Sequence, residues 1–430
     1  MKKRKAVNME QKLFTELRTL YQSGRDNASV IRINMRMSDS IEPDALRHAV
    51  NITMKRYPYF CVELQNREGN YIFAENKRPV VITNSLRGVN LNSEDSNFHM
   101  IAFAWYDDTI ILDVFHALTD GTGAYEILRT LLYYYCSERY HVELNRDGIR
   151  LAGDDIPIEE WNDPVLAASE LPAPTRTDIS KALNPAEYAG HENDNIRTVY
   201  SVSISESEFM RFVTQHSGTP GTMTALFLSR AIAKLYPDSE DAIRVALAVN
   251  QRKALHAPLA HQTLVGGVML EYKDKMRNWP LEKQVTAYRG MVIVQTQEEK
   301  VLAGVNSLKG INHMLLSMKT DNERLALAGK IIAHTFNILT ATVSYVGKAD
   351  FKEAEKYIRD FHLWTIPGGG AILIEISAVN GRFTFDIAQH FSSPVYVNAF
   401  LKELEDNGIN YDLQSVNKLE LPNVKLSWNM

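Results

Sequence analysis

Apolar and polar positions recur along this chain with two periods, and the periods divide it into strands and helices. Residues 31–37, Ile-Arg-Ile-Asn-Met-Arg-Met, alternate as a half-buried strand does. Leu46, Ala49, Val50 and Met54 instead lie three and four apart, predicting a helix with Pro43 in its first turn, where a missing N–H is tolerated. It ends before Tyr57-Pro58, and 57–64 is expected to turn into another strand. Leu13, Phe14, Leu17 and Leu20 predict an amphipathic helix over 10–22. Short strands are expected at 71–73 and 80–82, then a hairpin, 99–106 and 109–115, around the turn-forming Asp107-Asp108. Tyr125, Leu128, Leu132 and Tyr135 continue at helical spacing, so the first 150 residues read as a mixed sheet with helices on it. Tyr133, Tyr134 and Tyr135 fit a packed core or a channel wall.

Residues 147–195 break the pattern, with Pro157, Pro164, Pro172, Pro174 and Pro185 in a polar, acidic stretch. A segment of that kind is a linker or a long crossing, functional or mobile. Strand and helix signals then resume. Residues 198–204 alternate, Ser205 with Glu208 forms a capping-box signature, and 222–235 is a continuous apolar helix stopping before Pro237. Strands follow over 244–252, 264–270 and 339–347, with helices at 281–296 and 323–334 between the last two. Asn380-Gly381 marks a hairpin of 371–379 with 382–388, and a helix over 394–405 closes the pattern. The fold class is therefore α/β: two lobes of mixed sheets and helices, 1–150 and 197–430, joined by 151–196, with a cleft or tunnel between them.

Composition narrows the function. A formal net charge of -5 over 430 residues argues against a nucleic-acid partner, which would require a basic stripe. Only Cys61 and Cys136 occur, in apolar or aromatic surroundings, as expected of a reducing cytoplasm without a disulfide framework. Residues 2–5 are basic, but no apolar stretch of signal-peptide or membrane-spanning length follows. His256 and His261 are five apart, too far round a helix for a zinc pair, so no metal is expected. Gly121-Thr122-Gly123 lacks the third glycine of a dinucleotide loop, Gly368-Gly369-Gly370 is a flexible turn before a strand, and no Gly-x-Ser-x-Gly elbow offers a serine nucleophile.

The candidate chemistry lies in Val114-Phe115-His116-Ala117-Leu118-Thr119-Asp120-Gly121-Thr122-Gly123. His116 and Asp120 flank a short strand-to-helix turn, where Gly121 and Gly123 are expected to let the backbone bend. From these residues alone, His116 is either a cleft-facing base or a satisfied core histidine beside a helix-capping Asp120.

His-x-x-x-Asp-Gly after an apolar strand resembles the active-site motif of the chloramphenicol-acetyltransferase-like acyltransferases, which include alcohol acetyltransferases, plant acyltransferases and peptide-synthetase condensation domains. Condensation domains usually carry two adjacent histidines there; this chain has Phe115 in the first place, closer to the CoA-using branches. The strand, helix, Arg56-Tyr57-Pro58, strand order resembles the opening of bacterial alcohol-acetyltransferase-like members, whereas the Asp-Phe-Gly-Trp-Gly signature of the plant branch is absent.

The resemblance implies His116 as general base, with Asp120 and Gly121 shaping its loop. Asn250-Gln251-Arg252 resembles the second-lobe strand end whose Arg pairs with the motif's Asp, making Arg252 the expected partner of Asp120; otherwise Arg252 is a solvated strand-end residue. Ser344-Tyr345-Val346-Gly347 resembles the strand that places a small polar group by the acyl carbonyl, so Ser344 or Thr342 is the candidate oxyanion donor. The implied activity is acyl transfer, with acetyl the first expectation, from a CoA thioester to an alcohol or amine. Acyl-CoA is then a co-substrate, with no bound cofactor, and the state a monomer or weak oligomer. A non-catalytic binding protein of the same fold and a carrier-protein-dependent condensation enzyme are the alternatives.

Overall fold

The strand that delivers His116, Thr109–Phe115, is the middle member of a five-stranded sheet ordered Ile358–Trp364, Val30–Met37, Thr109–Phe115, Ile101–Tyr106, Ile82–Asn84. These elements come from a computed structural model that describes residues 10–24, 28–174, 179–188 and 196–428. Six of the strand's seven residues are buried, including Asp113, whose carboxylate is taken by Arg32 at 2.7 and 2.8 Å. Helices Pro43–Arg56 and Gly121–Arg139 pack on one another against this sheet and form its core with it. In the first helix the expected stripe is the buried one: Leu46, Ala49, Val50 and Met54.

A mixed seven-stranded sheet builds the second core, in the order Val265–Tyr272, Ile243–Asn250, Ala341–Lys348, Ile372–Val379, Arg382–Gln389, Thr198–Ser205, Asp412–Lys418. Ala341–Lys348 runs parallel to both its neighbours, and the other pairs are antiparallel. Helix Pro220–Leu235 is buried almost all round because it lies between this sheet and helix Val395–Asp406. Asn380 and Gly381 both take positive φ (47° and 75°), the twist that a two-residue hairpin needs.

Several expectations are corrected. Helix 10–22 shortens to Leu17–Gln22, because Gln11–Lys12 pairs with Phe73 and Ile72 and Leu13 donates to the Tyr71 carbonyl. Residues 58–60 form a 3-10 turn before strand Val62–Arg67, and the strand expected at 80–82 is Ile82–Asn84. Ser205 caps its helix, but Glu208 does not reciprocate; its carboxylate accepts from Asn410 instead. Reciprocal caps form at Thr219–Thr222 and Thr320–Glu323, the latter opening helix Asp321–Ile338. Helix Glu298–Ser317 and strands Ile358–Trp364 and Asp412–Lys418 were not anticipated. Ile358–Trp364 follows the second sheet's Ala341–Lys348 in sequence, yet pairs with Val30–Met37 of the first, Phe361 opposite Met35.

Candidate functional site

Strand Thr109–Phe115 ends one residue before His116, whose backbone N–H donates to the Ser29 carbonyl at 2.7 Å. His116 is half-buried. The Thr263 hydroxyl donates to the His116 carbonyl (2.7 Å) and lies 3.4 Å from ring Nδ1, where its oxygen faces the ring. No side-chain hydrogen bond to ring Nε2 is found among the described residues, and His116 lines a cavity. Burial holds the imidazole below its usual basicity; hydrogen bonding to its own and Thr119's backbone and the Asp120 charge pull the other way. The side chain is therefore a neutral base near pH 7.

Four residues on, Asp120 is the N-cap of helix Gly121–Arg139 and accepts from the Gly123 N–H at 3.2 Å. Arg252 grips both carboxylate oxygens, Nη1–Oδ2 at 2.8 Å and Nη2–Oδ1 at 2.9 Å, and Leu264 N–H adds a fourth donor at 3.1 Å. The expected pair is thus formed, and neither partner is solvated: Asp120 is 1% exposed and Arg252 4%. Arg252 also donates to the carbonyls of Ala260 and Gln262 and to Asn250 Oδ1, using all five of its N–H groups. Asn250 Oδ1 accepts from the Arg252 backbone N–H as well (2.9 Å), so it shapes the turn that presents the guanidinium.

The glycines act differently from expectation. Neither Gly121 nor Gly123 has positive φ. A Cβ at Gly121 would stand 2.6 Å from Val346 Cγ2, and one at Gly123 2.1 Å from Thr119 Oγ1. Close approach, not a bend, requires glycine here: the helix start lies directly on strand Ala341–Lys348.

That strand carries Ser344 and Thr342. Thr342 gives its hydroxyl to the Gly369 carbonyl at 2.6 Å. Ser344 is hydrogen-bonded to Glu375, its neighbour on the adjacent strand, and Thr365 donates to the same carboxyl at 3.0 Å. Burial pushes Glu375 up to about 7. Two cavities, of about 90 and 310 Å³, meet at this point, and His116, Ser344, Glu375, Ala248, Val265 and Thr365 line both. Asp120, Gly121 and Asn250 line the smaller one and Thr342 the larger. Residues from both halves of the chain therefore line the cavities with His116, among them the Ser344 side chain and the Glu375 carboxyl.

Sequence reasoning missed the support behind the motif. Thr119 donates to the His261 carbonyl at 2.6 Å, while His261 N–H donates to the Glu160 carbonyl at 2.9 Å. Glu160 in turn forms a buried bidentate pair with Arg56 (2.8 and 2.6 Å) and accepts from Tyr59 at 2.7 Å. The crossing segment thus braces the site. Arg56 belongs to the Arg-Tyr-Pro signature, the only signal for it; Glu160 and His261 had none. His261 lies between Tyr59 and Phe60, and burial lowers it to about 4, so it stays neutral.

No family model and no curated protein sequence matches this chain. Solved structures do. Polyketide synthase associated protein 5 from Mycobacterium tuberculosis superposes with a TM-score of 0.62 at 13% identity, over 92% of this chain and 97% of that one. TRI101 of F. sporotrichioides, solved with coenzyme A and T-2, gives 0.59 at 11% identity over 93% and 98%. The epimerization domain from the third module of tyrocidine synthetase B gives 0.56 at 9% over 93% and 97%. At such identities the likeness concerns the fold, and it covers nearly the whole of each chain: this protein has the two-lobed α/β architecture of these structures, the fold class that the sequence resemblance implied.

Proposed function

We propose that this protein is a CoA-dependent acyltransferase in which His116 is the general base. The observation that carries the reading is the position of His116: an imidazole of lowered basicity that lines two cavities, with Ser344 on the wall of both. Coenzyme A in the structurally similar TRI101 supports a CoA thioester as donor. In the proposed step, Nε2 takes the proton from an acceptor hydroxyl or amine as that group attacks the thioester carbonyl. The C–S bond then breaks, and the departing CoA thiolate recovers the proton from the imidazolium. General-base assistance of this kind is worth roughly a hundred- to ten-thousandfold.

Ser344 is the better oxyanion donor of the two candidates, since Thr342 is committed to Gly369. A protonated Glu375 donates to Ser344 and leaves the Ser344 hydrogen for the oxyanion; an ionised Glu375 captures that hydrogen. Asp120 and Arg252 position the loop and do not touch the proton. Within this reading, 1–150 and 197–430 are the two lobes, with Ile358–Trp364 contributed by the second half to the first sheet. A reducing, cytoplasmic setting suits Cys61 and Cys136, which form no disulfide. Among the described residues no helix is long and apolar enough to cross a membrane.

The test is CoA release from acetyl-CoA and longer acyl-CoAs with a panel of alcohols and amines. Acceptor-dependent release, reduced at least a hundredfold in His116→Ala, is expected. Unaltered turnover in that variant would sink the mechanism. Ligand binding without release in a folded protein would instead favour a binding module, and release only from an acylated carrier protein a condensation enzyme.

A further inference from the structure

Five arginines are fully buried among the described residues, and each has a carboxylate partner: Arg32 with Asp113, Arg56 with Glu160, Arg244 with Glu271, Arg252 with Asp120 and Arg324 with Asp321. Arg18 departs from that pattern. It sits on helix Leu17–Gln22, half-buried, and lines the larger cavity beside His116. Its Nε is enclosed without a hydrogen-bond partner among the described residues. A half-buried guanidinium that lines a cavity and leaves its enclosed Nε unpaired can take a planar anion.

We propose that Arg18 anchors a carboxylate on the acceptor, so that the acyl group is delivered to a hydroxy acid or an amino acid rather than to a neutral alcohol. The proposal rests on reading His116 as the base in the same cavity. Burial pushes the two carboxyl groups on the cavity wall toward their neutral forms, which weakens both as counter-ions for Arg18. Glu16 accepts from Thr19 at 2.7 Å, and burial raises it to about 8; Glu375, which lines the same cavity, is raised to about 7. Both hold their protons in neutral solution for much of the time. The remaining wall mixes hydroxyls with apolar side chains such as Val30, Leu308 and Leu373, suited to a short carbon chain between the anion and the reacting group. A CoA phosphate is the wrong occupant: with the thioester carbonyl at His116, the phosphates lie a whole pantetheine arm away. A carboxylate close to the nucleophile fits a cavity of about 310 Å³.

Calorimetric titration with 3-hydroxyoctanoate and its methyl ester tests this without turnover. Wild type is expected to bind the acid about ten- to a hundredfold more tightly than the ester, the range of a charge-assisted hydrogen-bonded pair. Arg18→Gln should abolish the preference, and Arg18→Lys should retain part of it, with circular dichroism confirming that both variants fold. Equal binding of acid and ester by wild type, a preference that survives Arg18→Gln, or binding of neither probe would overturn the proposal. So would weaker binding of CoA, rather than of the hydroxy acid, in Arg18→Gln. The two readings fail separately. A carboxylate preference in binding with no CoA release removes the acyl-transfer reading and keeps the site. His116-dependent release with the same KM for acid and ester removes the site and keeps acyl transfer.

Discussion

Replacing Asp120 by Asn keeps the side chain's shape and removes its charge. The carboxylate accepts from four donors, two per oxygen: Arg252 Nη2 and Gly123 N on Oδ1, Arg252 Nη1 and Leu264 N on Oδ2. Whichever oxygen becomes the amide NH2, two N–H groups then point at a donor, and Arg252, 4% exposed, keeps a buried charge without its counter-ion. Breaking one partner of such a pair costs about 3–5 kcal/mol. A Coulomb estimate agrees, about 4 kcal/mol for unit charges about 4 Å apart at an effective dielectric of about 20. Arg252→Met should cost less, because Asp120 retains the Gly123 and Leu264 donors. The chain has two cores, so one global unfolding free energy is a poor reporter. Hydrogen exchange in peptides spanning 116–124 and 251–264 is a better one. In Asp120→Asn both should exchange about a hundred- to a thousandfold faster, and together, since one ion pair closes both segments. The double variant should be about 2 kcal/mol or more less damaging than the sum of the singles. Additivity within about 0.5 kcal/mol, or protection lost in only one peptide, would refute the view that this pair joins the motif to the second half.

Gly121→Ala places a methyl 2.6 Å from Val346 Cγ2 and should cost about 1–3 kcal/mol by overpacking, with a matching loss in kcat/KM for CoA release. Val346→Ala added to it should restore most of the melting temperature; a harmless Gly121→Ala would contradict the close-approach argument. Glu375, raised to about 7 by burial, should give kcat/KM an alkaline fall near that pH as its carboxylate forms and takes the Ser344 hydrogen. An acid fall below 6.5 should come from His116, whose basicity burial lowers. In Glu375→Gln, which stays neutral, the alkaline fall should vanish while the acid fall remains; a pH profile unchanged by this substitution rules the Ser344 switch out.

Legibility followed the range of the interaction. The strand before His116, the helix after Gly121 and the Asn380-Gly381 hairpin are set by neighbours in sequence, and the hydrophobic period displays them. Strand Ile358–Trp364 is invisible at that range. Its partner, Val30–Met37, lies more than three hundred residues earlier, so even a recognised alternation of Phe361 and Leu363 could not assign its sheet. Helix Glu298–Ser317 buries only Ala303, Val305, Asn312 and Leu315, too narrow a stripe to stand out across Gly304 and Gly310. Arg252 was found by resemblance, because nothing local distinguishes a buried strand-end arginine from a solvated one. Glu160 has one buried carboxyl in a proline-rich run and carries no period at all.

The long-range contacts also decide what His116 can be. An unshielded carboxylate four residues away would raise the basicity of an imidazole, moving it toward the charged form near neutral pH. Here Arg252 neutralises Asp120 with two charge-assisted hydrogen bonds, and Leu264 and Gly123 occupy the remaining lone pairs. The influence of Asp120 on His116 is accordingly outweighed by burial, and the net shift is downward. A neutral ring is the state a general base requires before it meets its acceptor. The aspartate of the motif thus serves the histidine by having its own charge consumed elsewhere. That follows only from bringing residue 252 against residue 120, the contact that no local pattern in the chain specifies.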